Sequence, residues 1–137
     1  MSLQHLGNPP LASDRQVRPF SPAVRAGDFV FVSGQVPANA QGEIVRGGIE
    51  AQTRQVFANL RSVLALAGCT LDDVCKATVW LHDARDFGSF NRVYLEEFSG
   101  NKPARSTVES RLMVDAKVEI DVVAYKPLAE AAKAAKP

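Results

Sequence analysis

Pro103-Ala104-Arg105-Ser106-Thr107-Val108-Glu109 and, after seven intervening residues, Lys117-Val118-Glu119-Ile120-Asp121-Val122 are two short runs that read as strands. Successive strand side chains point to opposite faces, so Val118, Ile120, Val122 and Ala124 form an apolar face while Glu119 and Asp121 share the other. Arg105, Thr107 and Glu109 fall together in the same way. The loop Ser110–Ala116 is long enough for a hairpin, which would lay the arginine strand beside the glutamate strand. An arginine reads a carboxylate through paired charge-assisted hydrogen bonds of about 1.5–3 kcal/mol each, and a nearby glutamate can handle the proton of a water. The pair suits a small carboxylic acid undergoing hydrolysis. The same residues also fit an ordinary cross-strand ion pair of Arg105 with Glu109 or Glu119, and pattern alone favours that plainer reading.

At 137 residues and 46% hydrophobic, the chain is expected to be one domain that buries a real core without staples. Cys69 and Cys75 lie outside any CxxC or secretory pattern, which points to a reduced, cytoplasmic protein. His5 and His82 have no clustered ligand partners, so no metal is expected. The 16 basic residues are scattered and the net charge is +1, which gives no reason to expect nucleic acid. No apolar run approaches the roughly 18 residues of a membrane span.

Residues 1–16, with Gly7, Pro9 and Pro10, read as a flexible arm, and 17–126 as the domain. Ala26-Gly27 is a turn signal between a strand at Ser21–Arg25 and one at Asp28–Gln35. A short strand at Glu43–Arg46 follows, broken by Gly47-Gly48. Ile49, Thr53, Val56, Leu60, Val63, Leu64 and Ala67 recur on one helical face, with Gly68 as the C-terminal cap. Thr70-Leu71-Asp72-Asp73 has capping-box spacing, after which Cys75–Leu81 alternates as a strand. Trp80 is assigned to packing and His82-Asp83 to a polar strand end. Asp86 opens a second helix carrying Phe87, Phe90, Tyr94 and Phe98. Beyond Pro127 the alanine-rich tail, 127–137, is too short to hold a helix alone.

The order is β-β-(β)-α-β-α-β-β: an α+β domain with one sheet and two helices on one side. Two helices on one side cannot cover Phe29–Val32, Trp80 and Val123, so association is expected to cover the other face.

Phe20-Ser21-Pro22-Ala23-Val24, Phe31-Val32-Ser33-Gly34-Gln35, Gln52 with Asn59 and Leu60, Asn91 with Tyr94, Pro103-Ala104-Arg105 and Val118-Glu119-Ile120 stand in the order and spacing of one family. From about Pro19 to Tyr125 the chain resembles the reactive intermediate deaminases, the RidA or YjgF family. The resemblance implies a chorismate-mutase-like α+β fold with a mixed sheet, closing as a homotrimeric barrel with sites in the clefts between subunits. It further implies hydrolysis of 2-aminoacrylate-type enamines and 2-imino acids to 2-keto acids and ammonia, with no cofactor. Carried over residue by residue, Arg105 would clamp the substrate carboxylate and Glu119 would handle the water. Phe20, Ser33, Gly34, Asn91 and Thr107 would line the pocket. Phe20 stands where many members have tyrosine and Thr107 where many have cysteine, and Met113 replaces a common proline, so substrate preference stays open. Pathway-specific enamines such as aminomuconate or a pyrimidine-derived aminoacrylate are alternatives. Two other readings compete: an endoribonuclease or translation inhibitor, for which a basic stripe and stacking aromatics are missing, and a non-catalytic binder of small carboxylates that uses Arg105 with Glu119 idle.

Overall fold

The computed structural model describes residues 2–11 and 14–130. Its central strand is β6 (Val118–Tyr125), in which Val118, Ile120, Val122 and Ala124 are buried and the alternate residues are not. β3 (Phe29–Gln35) and β4 (Val74–Leu81) flank it, both antiparallel. β2 (Ala23–Ala26) and β1 (Gln4–Leu6) extend the sheet beyond β3, and β5 (Ala104–Glu109) extends it beyond β4. The order is β1-β2-β3-β6-β4-β5, and the sheet is mixed because β5 runs parallel to β4.

α1 (Ile49–Ala65) buries Ile49, Val56, Phe57, Leu60 and Leu64 against the even-numbered face of β6. α2 (Phe87–Glu97) packs beside it, with Phe57 edge-on to Tyr94 and Phe98 at 5.8 and 5.3 Å. Both helices therefore cover one face, as the apolar spacing predicts. Gly68 adopts φ +71°, the left-handed turn expected after a helix, and Cys69 N–H returns to the Leu64 carbonyl. The Thr70 capping box forms: its hydroxyl accepts from Asp72 N–H, and the Asp73 carboxylate accepts from Thr70 N–H. Asp83 accepts from Arg85 N–H at the start of a 3-10 turn, so this polar strand end is a cap.

Four expectations change. The hairpin between the Arg105 and Glu119 strands does not form, because β4 lies between β5 and β6. The reason is burial: apolar β6 gains most from neighbours on both sides, whereas β5, with Ala104, Ser106 and Val108 exposed, suits an edge. The crossover from His82 to Pro103 contains α2, which brings β5 back parallel to β4. Within the arm, Gln4–Leu6 is a strand paired with Ala23–Arg25 and not a structureless segment. Glu43–Arg46 is not a strand: the segment makes one bridge, Ala38 with Ile44, and is shaped by the Asn39 side chain, which accepts from Gln41 and Glu43 N–H. Asp86 closes a 3-10 turn, and α2 begins one residue later. The tail reading from residue 131 onward falls outside the described residues.

Arg25 is buried at 4% exposure and acts as a tie. Its guanidinium donates to the carbonyls of Gly27, Lys126 and Ala67 at 3.2, 3.0 and 3.1 Å, joining the β2–β3 turn, the end of β6 and the end of α1. On the helix-free face Phe29 and Phe31 remain 43% and 49% exposed, beside Tyr125 and Val123. No helix among the described residues is long and apolar enough to cross a membrane.

Candidate functional site

Residues paired across a sheet share a face. Arg105 pairs with buried Ala77 and so turns toward α2; Glu119 pairs with Trp80 and turns away from the helices. Three residues along β4 and two strand spacings separate them, about 14 Å between Cα atoms. One chain thus carries two half-sites on opposite faces.

The first is built on α2. Arg105 lies over the Tyr94 ring at 4.6 Å and within 5.6 and 5.7 Å of Phe87 and Phe90. Its Nη1 donates to Asn91 Oδ1 at 2.9 Å. The helical spacing of 87, 90, 91 and 94 makes this cradle, which orients the guanidinium without neutralising it. Among the described residues no carboxylate forms a salt bridge with Arg105. Glu109 instead accepts from Ala84 N–H at 2.7 Å, so the ordinary cross-strand ion pair is not what forms. Thr107 follows Arg105 on the same face, and its buried hydroxyl and that of Tyr94 have no hydrogen-bond partner among the described residues. Burial raises the Tyr94 pKa, and Arg105 partly offsets this.

The second half-site is a cavity of about 840 Å³ at the end of the sheet where β3 bulges after Val32. Phe20, Ser33, Gly34 and Glu119, all picked from sequence, line it together. Ser33 donates its hydroxyl to the Ser21 carbonyl at 2.6 Å, which fastens the Phe20 segment to β3. A Cβ at Gly34 would run into the Glu119 carboxylate, so glycine is what lets the acid sit there. Burial, and then Asp121, raise the Glu119 pKa above the usual carboxylate range, and no cation among the described residues pairs with it.

The structure therefore groups Arg105, Asn91 and Thr107 on one face and Phe20, Ser33, Gly34 and Glu119 in the cavity. Sequence reading missed Arg18 and the loop residue Val114 on the cavity wall, and Tyr94 as the platform for Arg105. The helical stripe containing Phe90 and Tyr94 was the available signal for the platform. Two residues of the quoted motifs act by positioning. Asn59 donates to the Val36 and Ala38 carbonyls at 3.0 and 2.9 Å. Gln52 donates to the Val45 carbonyl and accepts from Lys117 N–H, bracing the loop that walls the cavity.

A cation that reads carboxylates and a carboxyl with a raised pKa are the two groups that hydrolysis of a small acid needs. Comparison with known proteins shows what the chain as a whole is similar to. The model of the endoribonuclease L-PSP family matches residues 12–126. A RutC family protein of Pyrococcus horikoshii is 48% identical over 114 residues, covering 82% of this chain and 90% of the relative. The 2-iminobutanoate/2-iminopropanoate deaminase of Mus musculus is 36% identical over 112 residues, covering 80% and 83%. The crystal structure of yeast Mmf1 superimposes with a TM-score of 0.83 at 33% identity, covering 91% of this chain and 99% of that one. The fold matches and so does the span from the arm to the end of β6: the chain belongs to the endoribonuclease L-PSP family, which includes the RidA and RutC proteins.

Proposed function

We propose that this protein is a hydrolytic deaminase of 2-imino acids and their enamine tautomers, acting at sites built between neighbouring chains of a homotrimer. The observation that carries the reading is that Arg105 is held by Asn91, Glu119 is half-buried against Gly34, neither forms a salt bridge among the described residues, and the two face away from each other within one chain. A second copy docked on the helix-free face would bring one chain's Arg105 edge to another's Glu119 cavity. The name of the mouse relative supports the substrate class.

In this site the Arg105 guanidinium pairs with the substrate carboxylate and fixes the imine carbon relative to Glu119. Glu119, ionised, takes a proton from water as the water oxygen bonds to that carbon, and the C=N electron pair moves to nitrogen. Nitrogen takes that proton back from Glu119 to complete the carbinolamine; Glu119 then removes the hydroxyl proton as the carbonyl forms and passes it to the departing nitrogen. Keto acid and ammonia result, with one water consumed. An imine carbon is already electrophilic, so orientation and general acid–base help of about 10²- to 10⁴-fold are sufficient, without a cofactor.

The test is release of ammonia and keto acid from imines generated in situ by an amino-acid oxidase. Arg105→Ala is expected to abolish the acceleration, and Glu119→Gln to keep ligand binding and lose most of the rate. Full activity in either variant would overturn the assignment, and ligand binding without ammonia release would leave a carboxylate-binding protein.

A further inference from the structure

The cavity around Glu119 is lined by a cation that the reaction above does not use. Arg18 lines it, half-buried, with its main-chain N–H anchored to the Pro10 carbonyl at 2.9 Å. Among the described residues no carboxylate forms a salt bridge with Arg18. Glu43, the cavity's other carboxylate besides Glu119, is solvent-exposed, where water and salt screen it. The rest of the wall is largely apolar: Phe20, Pro22, Val36, Ile44 and Val63. A single chain encloses roughly 840 Å³ here, room for a neighbouring chain's Arg105 edge and for a ligand longer than a three- or four-carbon imino acid.

Apolar walls take methylenes, and a partly buried arginine on such a wall, with no salt bridge among the described residues, is suited to an anion brought in by the ligand. We propose that Arg18 is a specificity residue, and that the preferred substrates are 2-imino acids whose aliphatic side chain ends in a second carboxylate. The first carboxylate goes to Arg105 of a neighbouring chain, the imine carbon to Glu119, and the distal carboxylate to Arg18. For its chemistry this rests on the deaminase reading; for its ligand class it rests on the cavity alone.

The experiment compares a six-carbon keto diacid, 2-ketoadipate, with the monoacid of equal length, 2-ketohexanoate, by calorimetric titration of the wild-type protein, Arg18→Leu and Arg18→Gln. The corresponding imines, generated from 2-aminoadipate and norleucine, are compared by kcat/KM. In the wild type the diacid should bind at least about tenfold tighter, and in both variants this ratio should fall toward one. A wild-type ratio near one, or a ratio that survives in both variants, overturns the proposal. Because it reads a ratio in two variants, a fold defect that weakens both ligands equally cannot imitate the expected result. If the wild type turns over neither imine yet shows the Arg18-dependent preference in binding, the deaminase reading fails and the ligand class stands. If both imines are turned over with equal kcat/KM, the deaminase stands and the role of Arg18 falls.

Discussion

Arg105 and Glu119 leave the same sheet from opposite faces, one directed at Asn91 on α2 and the other at Gly34 in the bulge of β3. No small substrate bound to one chain can touch both. Two dead variants should therefore complement each other. In a 1:1 mixture of Arg105→Ala and Glu119→Gln chains, refolded together, random assortment leaves about a quarter of the between-chain sites with both groups intact. Ammonia release should return toward that fraction of wild-type activity. No recovery after verified subunit exchange would place both groups' work within one chain.

Gly34 sets the position of the Glu119 carboxylate. Its φ lies outside the left-handed region, so alanine fits the backbone, and the nearest obstacles to a methyl group are atoms of the Glu119 side chain. Gly34→Ala should displace that carboxylate and lower kcat at least about tenfold while the melting temperature moves by only a few degrees. On a Glu119→Gln background the same change should cost almost nothing more, because both act through one group. Additive losses in the double variant would show that Gly34 serves something else.

Burial and Asp121 raise the Glu119 pKa, so the native state holds that proton more tightly than the unfolded chain does. The stabilising contribution is then fully present below the unfolded carboxyl pKa and lost as pH rises through the higher native value. At neutral pH the ionised form costs stability. Glu119→Gln should accordingly melt higher than the wild type near pH 7, the gap closing as the pH falls to about 4. The acid limb of the wild-type kcat profile should also lie above the ordinary carboxylate range. A less stable Glu119→Gln at neutral pH would mean that the glutamate is structural.

The periodic parts of this fold and the β2–β3 hairpin about Ala26-Gly27 were legible, and the pairings between distant strands were not. The stripes of α1 and α2, the Thr70 capping box and the two faces of β6 follow from residue spacing, which is local information. The neighbours of β5 depend on where α2 returns the chain and on how much β6 gains by sitting between β3 and β4, and neither leaves a mark in 103–109. Gln4–Leu6 has three residues and no alternation to announce it. Within the site, strand parity grouped Arg105 with Thr107 and Glu119 with Asp121. It could not show that the two groups face opposite ways, since parity is relative within each strand. Arg18 had no motif and became visible only as a charge on a cavity wall with no salt bridge among the described residues.

Arg25 tests the frame that supports both half-sites. Its guanidinium is buried and satisfied by three carbonyls from separate elements. Arg25→Met keeps much of the volume and leaves those acceptors unpaired, which should cost about 2–4 kcal/mol. Urea unfolding at fixed chain concentration measures it, and a loss below about 0.5 kcal/mol would show that water substitutes for the guanidinium.

One face of the sheet is covered by no helix among the described residues. Phe29 pairs with Tyr125 and Phe31 with Val123, so the exposed rings form one continuous apolar strip across β3 and β6. An isolated chain would keep that strip in water, and a closed three-fold assembly would bury it from all three copies at once. Sedimentation at micromolar concentration should give about three times the 14.8 kDa chain mass. Phe31→Glu places a charge in the middle of the strip, where burial without a partner is prohibitive. It should yield monomers that keep their far-ultraviolet signature, because the Phe31 side chain supports no part of the core on the helix side. Those monomers should release no ammonia, since each retains an Arg105 and a Glu119 that cannot reach one substrate. A monomeric Phe31→Glu with wild-type activity would refute the between-chain site, and one that remained trimeric would move the interface off this face.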